Sequence, residues 1–169
     1  ALGGAYGPLS ILGEPVSIPQ RIYSPEPGRV DVNSLEPYSK LILAAIYTRH
    51  HDGYVRQNHV SDLLPSSEAW VPPFVFLLAS EYVVEIIEHM LSHLDEIPRD
   101  PYVRFASENP EFMRLVKSRI VSYWACCYRG PQFREYPGFI FLDAFGLWRR
   151  NEIPRHWVKD NAKQPRTAR

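Results

Sequence analysis

In the stretch "EIIEHMLSHLDE", Glu85, His89 and His93 follow one another at intervals of four residues. On a helix that spacing sets one carboxylate and two imidazoles along one side. Two histidines at i and i+4 are a zinc-binding arrangement, and the chemistry they offer is metal-assisted hydrolysis. A zincin helix has a glutamate directly after its first histidine as general base, whereas this chain has Met90 there. Carboxylate-bridged centres in helical bundles need a Glu-x-x-His pair on each of two helices. The chain offers Glu85, Glu88 and His89 and no second copy. The two histidines are therefore read as the polar rim of a core helix, hydrogen-bonded to Glu85 or Glu96. A metal-dependent hydrolase using Glu85, His89 and His93 is the alternative.

The other reactive side chains lead to the same kind of answer. Cys126 and Cys127 are the only cysteines. They sit near the end of a helix, where the dipole opposes a thiolate, so packing is expected of them, with Cys127 on the apolar stripe and Cys126 off it. Neighbours on a helix point about 100° apart, so a mutual disulfide would be strained. With no other cysteine to pair, the chain suits a reducing compartment, the cytoplasm. Arg119 lies between Val116 and Ile120 and is expected to snorkel or to pair with a buried acid; gripping an anionic ligand is its functional alternative. His51-Asp52 in "RHHDGYVR" is the dipeptide that names a family of metal phosphohydrolases. Here it occupies a helix break, so Asp52 is read as a helix cap and Gly53 as easing the bend. No phosphate loop, Gly-x-Ser-x-Gly elbow, zinc cysteine pairs or Rossmann fingerprint is present, and no cofactor is expected.

The elements that would position these groups follow from spacing. A helix is expected from Ser34, with Pro37 in its first turn and Tyr38, Leu41, Ile42, Ala45 and Ile46 as one buried face. A second runs from Gly53 to Leu64. A third, long helix from Pro72–Pro73 to Asp95 would carry Glu85, His89 and His93 and serve as the core of the bundle. A short helix over 101–107 precedes a strong start at Asn109–Pro110, with Glu111 on the positive dipole end, and that helix stops at Gly130. A last helix spans Pro137 to Arg150. With no long alternating pattern for strands, the fold class is all-α: a compact bundle of about five helices in one domain over residues 34–150.

"DGYVRQNHVSDLL" resembles the inner helix of a HEAT-type repeat through Asp52, Val55, Arg56, Val60, Leu63 and Leu64, with His59 where a small residue is usual. The likeness covers about thirteen residues and does not recur, so it implies a local helical hairpin and not a solenoid. His59, between Val55 and Leu63, is read as a core histidine.

Six of the sixteen prolines fall in the first 37 residues. Residues 1–33 therefore read as an extended Pro-rich arm, held to a surface by Leu2, Tyr6, Leu9, Ile11, Leu12, Val16, Ile18, Ile22 and Tyr23. The formal net charge is zero, yet residues 36–98 carry nine acids against three bases and residues 149–169 seven bases against two acids. That division predicts attraction between the basic C-terminal tail (151–169 with its preceding arginines) and the acidic helices, within one chain or between copies. Nucleic-acid binding would want basic charge on a folded face with interleaved aromatics, whereas here it sits mostly on a polar tail, so nucleic acid is a third reading through residues 149–169. No 18-residue apolar run exists, so no membrane span is expected.

Aromatic and arginine residues crowd the last third. Trp124, Tyr128, Arg129, Phe133, Arg134, Tyr136, Trp148, Arg149 and Trp157 are nominated as a partner-binding patch, because Tyr, Trp and Arg make interface hot spots; the same residues could pack a C-terminal cap. Lacking a complete catalytic set, the chain is read as a non-enzymatic protein–protein interaction module or assembly subunit, bound to a protein partner or to itself.

Overall fold

The computed structural model describes residues 4–128 and 132–148. It is mostly helical but not strictly all-α, because the proline-rich N-terminal segment opens with a β-hairpin. Strands β1 (Ala5–Ile11) and β2 (Glu14–Pro19) pair antiparallel, with Tyr6 opposite Ile18, Leu9 opposite Val16 and Ile11 opposite Glu14. Leu12 (φ 53°) and Gly13 (φ 84°) form the two-residue turn, both in the left-handed region that matches the twist of a tight hairpin. Prolines 8, 15 and 19 are tolerated because a two-stranded sheet has only edge strands. An extra residue at Gly7–Pro8 shifts the register between Tyr6 and Leu9.

The hairpin is docked, as the arm's apolar residues suggested, by fewer anchors than expected. Leu9, Ile11 and Ile18 are buried and Tyr6 and Val16 pack against the core, while Leu12 and Tyr23 are exposed; Leu2 lies outside the described residues. Asn109 pins it: its Oδ1 accepts from Ser10 N at 2.7 Å, and its Nδ2 donates to Ser10 O at 2.8 Å and Phe105 O at 3.0 Å. Asn109→Ala would leave these groups without their partner, an expected loss of about 2–3 kcal/mol, readable as a lower urea midpoint with unchanged slope.

Eight α-helices follow among the described residues, not five: α1 (Arg29–Asn33), α2 (Pro37–Tyr47), α3 (Gly53–Leu63), α4 (Pro72–Ala79), α5 (Val84–Ser92), α6 (Arg99–Glu108), α7 (Pro110–Cys127) and α8 (Pro137–Ala144). Asp52 caps α3 as expected, its Oδ1 accepting from Tyr54 N at 2.8 Å. The first long helix begins at Glu36–Pro37 and not at Ser34, and α8 stops at Ala144, short of Arg150.

The expected helix over 72–95 is two helices. Helix α4 ends at Ser80, whose Oγ turns back to Leu77 O at 3.0 Å, and Val83 opens α5 in an extended conformation. Seven of the eight α4 residues are buried, and α4 touches α5, α6, α7 and α8. A helix apolar on all sides must be covered on all sides, and α4 is therefore the centre of the bundle. Gly138 allows α8 to approach it, since a β-carbon there would stand 3.0 Å from Ala79 O. Helices α2 and α3 pack as a hairpin. No described helix is long and apolar enough to cross a membrane. The basic segment 149–169 lies outside the described residues.

Candidate interaction surface and buried arginine cluster

The corner between α4 and α5 holds a feature that sequence reasoning missed. Glu81 is 1% exposed, and three guanidinium groups converge on it. Its Oε1 lies 2.9 Å from Arg21 Nη2 and 3.3 Å from Arg49 Nη1, and its Oε2 lies 2.9 Å from Arg56 Nε. The Arg56 N–H is out of line for a hydrogen bond, so that contact is Coulombic. One carboxylate against three cations leaves an excess positive charge, with Arg49, Arg56 and Glu81 almost wholly buried and Arg21 partly exposed.

Backbone carbonyls offset that excess. Arg49 donates to Gln20 O at 2.8 Å, Pro19 O at 3.3 Å and Thr48 O at 3.4 Å; Arg56 Nη1 donates to His50 O and His51 O, each at 2.9 Å. Thr48, His50 and His51 follow the C-terminal end of α2, where the dipole is negative. Burial nevertheless lowers Arg49 to a pKa of about 10, against the pull of Glu81, and the neighbouring Arg21 adds to the lowering. The cluster ties together β2, the end of α2, the start of α3 and the α4–α5 corner. It is a tertiary clasp with no nucleophile in it.

Arg119 joins the same seam without an acid among the described residues. Its Nε donates to Ser80 O at 3.1 Å and its Nη1 to the Tyr6 hydroxyl, and its Cζ lies 5.6 Å from the Tyr6 ring and 5.9 Å from the Tyr123 ring. The carboxylate partner expected for it is replaced by a carbonyl, a hydroxyl and two π faces. A cleft of about 820 Å³ runs beside it between the hairpin and the α6–α7 corner, lined by Tyr6, Gln20, Asn109, Phe112, Leu115 and Arg119 among others.

The metal alternative finds its residues as follows. Helix α5 holds Glu85 and His89, while His93 is its C-cap, so the three do not continue along one regular helix. The two rings lie 4.6 Å apart. His89 Nε2 meets Ser61 Oγ at 2.7 Å, and His93 Nδ1 lies 2.9 Å from His89 O and 3.0 Å from Ser92 Oγ. Burial, then the neighbouring His93, lowers the His89 pKa. Among the described residues, no group of three or more His, Cys, Asp or Glu side chains is arranged to hold a metal ion. The hydrogen bonds expected from Glu85 or Glu96 are supplied instead by serines and a carbonyl. His59 is not a core residue either, for its Nε2 pairs with Glu26 Oε1 at 2.7 Å near the surface.

Of the nominated aromatic patch, Trp124, Phe133, Tyr136 and Trp148 are buried in the chain's own core. Phe133 is the hub, with ring centroids 5.2 Å from Trp124 and Phe139 and 5.4 Å from Trp148. Tyr128 is half-buried and Arg134 exposed; Arg129, Arg149 and Trp157 lie outside the described residues. These rings pack the C-terminal cap.

The apolar surface lies elsewhere. Helix α2 turns Ala44, Ala45 and Tyr47 inward with Leu41 partly covered, and it leaves Tyr38, Ile42 and Ile46 at 53, 40 and 43% exposure. The face expected to be buried is thus split, and half of it meets solvent. Tyr38 is held upright by an edge contact with Trp70, whose Nε1 donates to its hydroxyl at 3.1 Å. Leu35, just before the helix, extends the stripe.

No family model, curated protein or solved structure matches the chain. Function therefore has to be argued from this surface.

Proposed function

We propose that the chain is a non-enzymatic assembly subunit that self-associates through the outer face of α2. The observation that carries this reading is the stripe Tyr38–Ile42–Ile46 on the outer side of a helix that buries Ala44, Ala45 and Tyr47. Apolar side chains at helical spacing that the described residues leave 40–53% exposed mark an interaction site.

The partner is a second copy of the chain. Tyr38 and Ile46 each lie four residues from Ile42, so the helical part of the stripe is evenly spaced about Ile42. A two-fold axis through Ile42 sets the helices antiparallel and lays Tyr38 of each copy on Ile46 of the other, the isologous contact of the commonest oligomers. The same axis brings the exposed Glu36 of one copy to the C-terminal end of the other copy's α2. Behind that end lies the arginine cluster, with three cations against one carboxylate. Charge at the ends and apolar contact at the centre agree. The likeness of α3 to a HEAT inner helix is read as local, since Arg56 serves the buried clasp. Two cysteines without a structural disulfide fit a cytoplasmic setting.

Sedimentation equilibrium tests the reading. The wild type is expected to be a dimer, and Ile42→Asp is expected to weaken the dimer by roughly 30-fold or more, the about 2 kcal/mol of an anchor at an interface centre. Helical circular dichroism should not change, because the residue faces outward. A monomeric wild type, or an unaffected dimer in Ile42→Asp, would contradict it.

A further inference from the structure

Cys126 and Cys127, expected to pack, are both exposed in the last turn of α7. The first turns of the same helix border the cleft of about 820 Å³ that opens beside Arg119. Strand β1 is the opposite wall. The two walls are joined at both ends of the cleft, Ser10 to Asn109 and Tyr6 to Arg119. They therefore run antiparallel. Tyr6 to Ser10 is about 13 Å of strand, and Asn109 to Arg119 is about 15 Å of helix. The cleft is thus a groove as long as about four extended residues.

Strand β1 has a free outer edge along this groove. Gln20 N donates to Gly4 O at 2.8 Å, and Ala5 stands opposite Pro19. By the alternation of an antiparallel ladder, the N–H and C=O of Ala5 then point away from β2. Asn109 shows what this edge accepts, for its carboxamide binds both Ser10 N and Ser10 O as a peptide group would. On the helical wall, Phe112, Leu115 and Arg119 share one side of α7 at helical spacing. Phe112 is buried and Leu115 is 41% exposed.

The two ends of the groove are oppositely charged. At the Tyr6 end, Arg119 has no acid and no acceptor for its Nη2 among the described residues. Arg49 Cζ lies 5.8 Å from the Tyr6 ring, and Gln20, which lines this end, is bonded to the arginine cluster with its excess charge. At the Ser10 end stand Glu108 and Glu111. Glu111 is paired with the exposed Arg114, whereas Glu108 has no ion-pair partner among the described residues.

We infer that the groove binds a short extended peptide with a free C-terminal carboxylate, added as a strand along β1. The carboxylate goes to Arg119 and a basic first residue to Glu108. That order runs the peptide antiparallel to β1, the more stable pairing. Ala5 supplies the main-chain bonds, and Phe112 and Leu115 receive an apolar side chain between the charged ends. The Tyr6 hydroxyl accepts from Arg119, so its own O–H is left to donate to the same carboxylate. The α2 stripe contributes no residue to this groove.

The test immobilises the full chain and offers it three pools of pentapeptides with four randomised positions. One begins with Lys and has a free C-terminus, one begins with Lys and is amidated, and one begins with Asp and has a free C-terminus. Mass spectrometry counts what is retained. The first pool should be held roughly tenfold or more above the amidated one, the weight of a charge-assisted hydrogen bond, and above the Asp pool. Leu115→Glu places an acid in the groove at an exposed position, so retention of the first pool should fall roughly tenfold with unchanged circular dichroism. Equal retention of the first pool and either other pool, equal retention by wild type and Leu115→Glu, or retention of no pool overturns the assignment.

Discussion

Glu81→Gln is expected to destabilise the fold by about 3–5 kcal/mol, the range for breaking a buried ion pair from one side. The cause is what stays behind. Arg49 and Arg56 have side chains 0% and 1% exposed, and Arg21 is only partly exposed, so the cations cannot regain water without opening the structure. Glutamine keeps the shape of the side chain and loses the charge, and its amide hydrogens would face a guanidinium. Domains of this size are stable by only about 5–15 kcal/mol, so the variant stands near the unfolding threshold. Urea denaturation reads the loss. Hydrogen exchange should show where it starts, because Ile22 N–H bonds to Arg49 O and His51 N–H to Ile22 O across the same clasp. A loss below about 1 kcal/mol would mean that the carbonyls alone support the arginines.

Phe133→Ala is expected to cost about 3–5 kcal/mol, as for other buried aromatic truncations. Phe133 joins Trp124, Phe139 and Trp148 in one cluster, so a cavity there loosens α7 and α8 together. The comparison that matters is with Arg134→Ala next to it. Arg134 is exposed, and its removal should change stability by no more than about 0.5 kcal/mol. If the aromatic cluster were a docking face, Phe133→Ala would weaken association and leave stability intact. The fold account predicts the reverse.

Local signals in the chain were readable, and signals that depend on distant partners were not. Asp52 caps α3 through its own side chain, and Pro110 opens α7 as expected, but the Asn109 side chain makes no cap bond there and is turned to Ser10 of the hairpin and to Phe105. The hairpin was missed although its signal is present: Leu9 and Ile11 alternate on one strand, Val16 and Ile18 on the other, with Leu12-Gly13 between. Prolines at 8, 15 and 19 masked it, because they weigh against a central strand and say little about an edge. The break between α4 and α5 contains no proline or glycine. What stops the helix at Ser80 is long-range, since Glu81 is drawn to arginines from three other segments. Periodicity cannot see that pull, so the single long helix inferred over 72–95 is two, with Glu85 and His89 on α5 and His93 at its C-cap.

The candidate site follows the same division. Tyr38, Ile42 and Ile46 were legible as an apolar face of α2, but not which part of that face would be covered, because Trp70 and α3 decide it from elsewhere in the chain. The aromatic–arginine composition of the last third could not separate a hot spot from a core, since both use the same side chains.

The two-fold axis through α2 is tested most directly by a cysteine placed on it. In a Cys126→Ser, Cys127→Ser background, Ile42→Cys should give a covalent dimer in oxidised glutathione, because only a residue on the axis meets its own copy. Leu12→Cys, at an exposed hairpin turn (67%), should form no covalent dimer under the same conditions. If Ile42→Cys couples no faster than Leu12→Cys, α2 does not form the interface.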